Sequence, residues 1–136
     1  MTEGEALARE HAAALLAGDR MAAHLGIEVV DVGPGRATVR MRITDAMLNG
    51  VGTVHGGVVF TLADIAYAAA CNSHGRLTVG RSAEVIHVAP AHAGEVLIAV
   101  ATERSRRGRN GVYDVSVERE DGAPIAEFRA QSRTVA

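Results

Sequence analysis

Residues 54–71 of this 136-residue chain read VHGGVVFTLADIAYAAAC, and this stretch decides the fold. From Val58 to Cys71 almost every residue is apolar, and most of them favour a helix. A helix that is hydrophobic on all sides is expected to be buried, and this one falls short of the roughly 20 apolar residues of a membrane span. Asp64 stands in its middle. Because an isolated carboxylate in apolar surroundings is costly, Asp64 marks a candidate functional position.

Two glycines, Gly56 and Gly57, open the predicted helix. The first amides of a helix have no acceptor within the helix, and the helix dipole makes that end positive. A Gly-Gly opening is therefore suited to holding a developing oxyanion. The same glycines would also serve to turn the chain or to admit a neighbouring strand. From these residues alone, both interpretations stay open.

The spacing between Gly56 and Asp64 predicts how the chain assembles. Eight residues of helix, at about 1.5 Å each, separate them by roughly 12 Å. A base and an oxyanion donor must both come within about 3–3.5 Å of one reacting carbonyl. Two antiparallel copies of the helix about a two-fold axis would place Gly56 of one opposite Asp64 of the other. We therefore expect a homodimer with two shared active sites.

Composition limits the class of protein. The length suits a single domain spanning residues 1–136, and 48% hydrophobic with 22% charged residues is a globular profile. A formal net charge of −2 gives no indication of nucleic-acid or membrane binding. Cys71 is the single cysteine, which fits a reducing compartment. No signal-peptide pattern opens the chain, so we expect a cytoplasmic protein.

The segments around the central helix predict a sheet. A helix is expected over Gly4–Leu25, broken near Gly18, and the pattern after it favours strands. The predicted strands are Ile27–Val32, Arg36–Thr44, Leu77–Val88, Glu95–Arg104, Gly111–Arg119 and Ala123–Arg133. This order predicts an α+β fold in which an antiparallel sheet wraps around one long helix, with an N-terminal helix beside it.

Other kinds of site find little support. The histidines at 55, 74, 87 and 92 have no familiar metal-ligand spacing, so no metal site is expected. A G-x-S-x-G nucleophile motif is absent, and Cys71 is interpreted as a packed helix residue. The basic segment Arg104–Arg109 carries four arginines. It is either a solvated hairpin tip or a place that holds a phosphorylated ligand.

Several motifs together closely resemble the hotdog-fold acyl-CoA thioesterases, in particular the PaaI-type enzymes of phenylacetate degradation. They are MLNG at 47–50, HGG at 55–57 with Asp64 following, and ACNS at 70–73. The resemblance extends from about Leu25 to the C-terminus.

The resemblance implies the hotdog fold, a dimer that often pairs into a dimer of dimers, and hydrolysis of an (aryl)acyl-CoA such as hydroxyphenylacetyl-CoA. It makes Asp64 the general base or nucleophile and the Gly56 amide the group that polarises the thioester carbonyl. Asn49 would lie beside the reaction centre, and His55 would order the loop before the helix. No metal or redox cofactor is implied, because coenzyme A is part of the substrate.

One segment departs from the resemblance. The family commonly ends the strand after the helix with an F-x-R-P-like pattern, whereas this chain has His87-Val88-Ala89-Pro90. Contacts to the substrate and its CoA moiety are therefore expected from other residues. These are Gly57, Arg106, Arg107, Arg109 and Asn110.

Three alternative functions stay open. A hydratase or dehydratase on the same fold would use a His/Asp pair, for which His55 and Asp64 are candidates. A non-catalytic acyl-CoA binding protein is the second, and a thioesterase acting on acyl carrier protein is the third. The acyl group itself is not determined by the sequence.

Overall fold

The computed structural model describes all residues from 1 to 136. Its helices are α1 (Glu3–Ala17), α2 (Arg20–Leu25) and α3 (Gly56–Cys71), with a short 3₁₀ helix at Asp45–Met47. Its strands are β1 (Glu28–Gly33), β2 (Arg36–Arg42), β3 (Thr78–His87), β4 (Val96–Arg107), β5 (Asn110–Arg119) and β6 (Pro124–Thr134). The predicted break in the N-terminal helix is confirmed. Asp19 caps α2 by accepting a hydrogen bond from the Ala22 amide at 2.9 Å.

The six strands form one antiparallel sheet in the order β1-β2-β4-β5-β6-β3. This sheet curves around α3, so the predicted α+β architecture and its hotdog arrangement are confirmed. Alternation along β2 buries Ala37, Val39 and Met41 against the helix, while Thr38 and Arg40 between them point outward. Pattern alone therefore assigned the inner face of this strand correctly.

The helix α3 is not buried on all sides, which corrects the prediction. Its inner face is fully packed, with Leu62, Ala63 and Ala66 at 0% exposure. The opposite face leaves Gly57 and Asp64 exposed and Thr61 and Ala68 half-buried. The physical reason is that one sheet covers only one side of a helix. We refer to Gly57, Thr61, Asp64 and Ala68 as the open stripe of α3.

The C-terminal end of α3 is held by the ACNS motif. The Asn72 amide group donates to the Thr78 carbonyl at 3.0 Å, and its oxygen accepts from the Thr78 amide at 2.9 Å. The Ser73 hydroxyl accepts from the Gly35 amide at 2.8 Å. These buried bonds fix where α3 ends and where β3 begins. The motif therefore has a structural role in this protein.

The strand β3 lies at one edge of the sheet and is exposed along most of its length. It pairs with β6 on one side only. Val79 and Ile86 on this strand are 45% and 58% exposed. Unpaired edges with exposed apolar side chains are places where another chain can add.

None of the helices combines the length and apolar character that a membrane span requires.

Candidate active site

The N-terminus of α3 is organised by His55, which is its N-cap. Nδ1 of His55 accepts a hydrogen bond from the Gly57 amide at 3.0 Å. The His55 amide donates to the Met47 carbonyl at 2.8 Å, which ties the loop of residues 48–54 to the helix start. Because Nδ1 is an acceptor, the proton of the neutral ring is assigned to Nε2. His55 therefore orders the loop and the first turn of α3.

The amide of Gly56 is the free donor at this helix end. The amides of Val58 and Val59 both donate to the His55 carbonyl, at 2.9 and 3.2 Å, and Gly57 donates to the His55 ring. Gly56 has no such acceptor within the chain. A free amide at the positive end of a helix is suited to an anion or a polarised carbonyl oxygen. Gly57, predicted to contact substrate, has its amide already occupied.

Asn49 shapes the loop that leads to this amide. Its Oδ1 accepts from the amides of Val51 at 3.0 Å and Thr53 at 3.1 Å, and its Nδ2 donates to the Thr53 hydroxyl at 3.0 Å. One N–H of the Asn49 side chain is left over by these contacts. Asn49 and Gly56 line the same cavity, of about 300 Å³. Half of its ten lining residues are hydrophobic, among them Val59 and Ile125.

Asp64 lies on the open stripe of α3, roughly 12 Å along the helix from Gly56. No hydrogen bond or ion pair holds its carboxylate, and solvent reaches it in the protomer. Partial burial of the carboxylate raises the pKa of Asp64, and the negative charge of Asp19 raises it further. An unpaired carboxylate with a raised pKa is suited to accept a proton. Within one protomer, Asp64 and Gly56 are not brought together.

His87 is a site residue to which the sequence assigned no role. It ends β3 and lines the same cavity as Asn49 and Gly56. A Cβ atom on Gly56 would lie only 3.1 Å from Nε2 of His87, so the ring lies directly against this glycine. The departure from the F-x-R-P pattern at residues 87–90 was the one signal in the sequence that pointed to this position.

The predicted basic turn is mostly strand. The strand β4 continues to Arg107 after a bulge between Glu103 and Ser105, so Arg106 and Arg107 belong to it and the turn itself is short. Arg106, Arg109 and Asn110 line a cavity of about 520 Å³ at the C-terminal end of α3. Arg107 is not among its lining residues, because consecutive strand residues point to opposite faces.

The lining of that cavity is mostly polar; it includes His74 and Arg76 together with Cys71 and Tyr113. Burial raises the pKa of Cys71 to about 12, so the thiol is protonated at neutral pH. Glu103 accepts from the Tyr113 hydroxyl and contacts the His74 ring, both at 2.8 Å. Partial burial opposes ionisation of Glu103, but these contacts bring its pKa below its usual range.

No group of three or more His, Cys, Asp or Glu side chains is arranged to hold a metal ion. Taken together, the residues of the candidate site at the N-terminal end of α3 are Gly56, through its amide, Asn49, His55 and His87. Asp64 lies in the middle of the helix, and the arginines lie at its other end.

Comparison with known proteins identifies the family. Residues 51–126 match the model of the thioesterase superfamily. The chain is 37% identical to the acyl-coenzyme A thioesterase PaaI of Escherichia coli K12 over 126 residues, which cover 93% of this chain and 90% of that protein.

Two solved structures of PaaI proteins are similar to this chain in both fold and sequence. The E. coli PaaI protein from the phenylacetic acid degradation operon superposes with a TM-score of 0.95 at 36% identity, covering 97% of this chain and 96% of that one. A variant of the phenylacetic acid degradation protein PaaI from Thermus thermophilus gives 0.83 at 32% identity, covering 86% of this chain and 100% of that one. The chain belongs to the thioesterase superfamily and is a PaaI-type thioester hydrolase with the hotdog fold.

Proposed function

We propose that this protein hydrolyses aryl- or acyl-CoA thioesters in active sites shared between two protomers. One observation carries the proposal: the free amide of Gly56 and the unpaired carboxylate of Asp64 lie on one helix, too far apart to act on one carbonyl. Each is half of a hydrolytic site. Two-fold pairing of α3 supplies the missing half to both.

The surface around Asp64 supports such pairing. The open stripe of α3 consists of small or polar side chains, which allow close approach of a second helix. The free edge of β3 exposes Val79 and Ile86. A homodimer formed through these features would run the two copies of α3 antiparallel and place Gly56 of each chain opposite Asp64 of the other. A dimer of dimers is the further assembly that the resemblance to the hotdog-fold thioesterases implies.

The chemistry needs only a base, water and an oxyanion donor. Asp64 takes a proton from water, and the resulting hydroxide adds to the thioester carbonyl carbon. The Gly56 amide stabilises the oxygen that becomes negative. When this intermediate collapses, the carbon–sulfur bond breaks and the proton held by Asp64 passes to the CoA thiolate, giving the free acid and CoA. A nucleophilic Asp64 would instead add to the carbonyl carbon and displace the CoA thiolate, forming an acyl anhydride. Water then hydrolyses the anhydride to the free acid and the Asp64 carboxylate, and the proton that this releases goes to the thiolate.

The names of the relatives guide the proposed substrate. The E. coli relative is an acyl-coenzyme A thioesterase, and both solved relatives are linked to phenylacetic acid degradation. The mixed lining of the cavity beside Gly56 includes the apolar residues Val54, Val59 and Pro90, which suit an aromatic ring. We therefore propose hydroxyphenylacetyl-CoA as a representative substrate, with the reaction taking place in the cytoplasm.

The arginines at the other end of α3 are proposed to hold the phosphates of CoA. In CoA the phosphates lie at the far end of the pantetheine arm from the thioester. In the proposed antiparallel dimer, each site combines Gly56 of one protomer with Asp64 of the other. The cavity with Arg106 and Arg109 that belongs to the protomer supplying Asp64 then lies farther along the same helix, at its C-terminal end. Arg76 lies in the same cavity and forms no ion pair with an Asp or Glu; its Nε donates to an oxygen of the last residue, Ala136, at 3.1 Å. Guanidinium groups suit phosphate oxygens.

The experiment is to measure release of free thiol from a panel of acyl-CoAs by the wild type and by Asp64→Asn. We expect turnover that falls by at least 10²-fold in Asp64→Asn, the loss typical of removing a general base. Asp45→Asn is the matched control, because Asp45 is also exposed and lies outside the site. Near-wild-type activity of Asp64→Asn would contradict the role of Asp64. Hydration of an enoyl-CoA without thiol release would favour the hydratase alternative.

A further inference from the structure

We propose that His87 is a second oxyanion donor, so that the thioester carbonyl is held by an imidazole N–H as well as by the Gly56 amide. The inference rests on the proposed function and adds a residue to the same site. It starts from one juxtaposition: Nε2 and Cε1 of His87 lie 3.1 and 3.2 Å from where a Cβ on Gly56 would be.

The backbone fixes the position of His87. Its partner in the sheet is Ala126 on β6, and the following amides of Val88 and Ala89 donate to the Ile125 carbonyl at 2.8 and 3.2 Å. Val85, two residues earlier, packs against the core beside α3. Because alternate strand residues share a face, His87 also points toward α3. The position of β3 therefore places the His87 ring beside the N-terminus of α3.

The ring of His87 is free to bind a substrate. Among the histidines, ring contacts of hydrogen-bond length are made by His55, His74 and His92, but not by His87. His87, Gly56 and Asn49 line one cavity of about 300 Å³. A carbonyl that enters this cavity to reach the Gly56 amide therefore passes the His87 ring.

The surroundings favour a donor over a base. A histidine that acts as a base is generally oriented by a third group on its other nitrogen, and no carboxylate contacts His87. Asp64 of the opposite protomer already supplies a base in the proposed dimer. An imidazole carries an N–H in both its neutral and its protonated form. His87 therefore donates a hydrogen bond to the developing oxyanion, and no proton is transferred in this step.

The test compares two substitutions of His87. His87→Phe keeps a flat ring against Gly56 and removes the donor, whereas His87→Gln keeps an N–H of similar reach. We expect His87→Phe to lower kcat by roughly 10²–10³-fold, the usual cost of one lost oxyanion donor, with KM nearly unchanged. We expect His87→Gln to retain most of the turnover. His24→Phe, at an exposed histidine in α2, is the matched control.

A further variant guards against misfolding. His87→Ala leaves space for a ring, so added imidazole should restore part of its thiol release. Wild-type kcat in His87→Phe would overturn the proposal, as would equal losses in the Phe and Gln variants. If Asp64→Asn is inactive while His87→Phe matches the wild type, the proposed function stands and the role of His87 falls. Absence of thiol release from the wild type would overturn both.

Discussion

The amide of Gly57 donates to Nδ1 of His55 at 3.0 Å, and this bond helps to determine which amide stays free at the N-terminus of α3. With Gly57 occupied and the next two amides bonded to the His55 carbonyl, only Gly56 is left free at the helix N-terminus. In the HGG motif the histidine therefore caps the helix and leaves the amide of the first glycine without an acceptor. In the proposed mechanism this free amide is the oxyanion donor.

Replacing His55 tests its role as the N-cap of α3. His55→Ala removes the acceptor for Gly57 and should lower the free energy of unfolding by about 1 kcal/mol, as loss of a side-chain N-cap usually does. His55→Ser keeps an acceptor in the cap position, so most of that stability should return. Urea unfolding followed by circular dichroism measures both. Equal stability of the Ala variant and the wild type would show that the cap is unimportant.

The Gly56 amide can be deleted with proline. Proline is tolerated at the first position of a helix, and His55 has φ −63° and ψ 134°, a conformation compatible with a following proline. Gly56→Pro should lower kcat by roughly 10²–10³-fold, because it removes the proposed oxyanion donor.

Gly56→Ala is the matched control for that variant. It introduces the same Cβ, which would press on the His87 ring at 3.1 Å, but it keeps the N–H. We expect kcat of the Pro variant to lie far below that of the Ala variant. If the two lose kcat equally, the steric contact and not the amide explains the loss.

Replacing Asp19 should shift the pH dependence of turnover. In the proposed mechanism Asp64 acts as a carboxylate, so activity should be lost as the pH falls through its pKa, which burial and the charge of Asp19 both raise. Asp19→Asn removes that charge and should lower the pKa of Asp64, moving the acidic limb of kcat/KM to lower pH. Asparagine still caps α2. Asp45→Asn is the control and should leave the acidic limb of kcat/KM at the wild-type pH. If Asp19→Asn also leaves it there, Asp64 is not the group whose titration limits activity at low pH.

Arg109 offers a test of the CoA contacts. It lines the cavity at the end of α3 and forms no ion pair, so Arg109→Ala should raise KM for an acyl-CoA by roughly 3- to 10-fold, since an exposed charge pair is worth about 1 kcal/mol. KM for an acyl-pantetheine, which lacks the nucleotide phosphates, should not change. Arg20→Ala removes an exposed arginine elsewhere and serves as control. Equal increases in KM for both substrates would rule out a phosphate contact.

Much of the fold follows from local pattern. The ends of α3 and of all six strands lie within three residues of their predicted positions, because period-2 alternation and Gly or Pro turns mark them. The open stripe was not predicted. Alanine, glycine and threonine fit buried and exposed positions alike, so apolar composition does not reveal which side of a helix the sheet leaves uncovered.

The site was only partly predictable, for a different reason. Asp64 and Gly56 stood out because each conflicts with, or interrupts, a regular apolar helix. His87 did not, because its contact with Gly56 depends on β3 running back along α3 to the helix N-terminus. The cavity with Arg106 and Arg109 likewise depends on how three strand ends meet, which sequence spacing does not specify.

The central claim, that each site is shared between two protomers, is tested most directly by mixing two inactive variants. Asp64→Asn retains Gly56, and Gly56→Pro retains Asp64, so a mixed dimer has one intact site and one doubly defective site. After co-expression or joint refolding, thiol release should return to about a quarter of wild type, because half of the dimers are mixed and one of their two sites is intact. If mixed dimers form but no activity returns, the sites are not shared and the proposed mechanism is wrong.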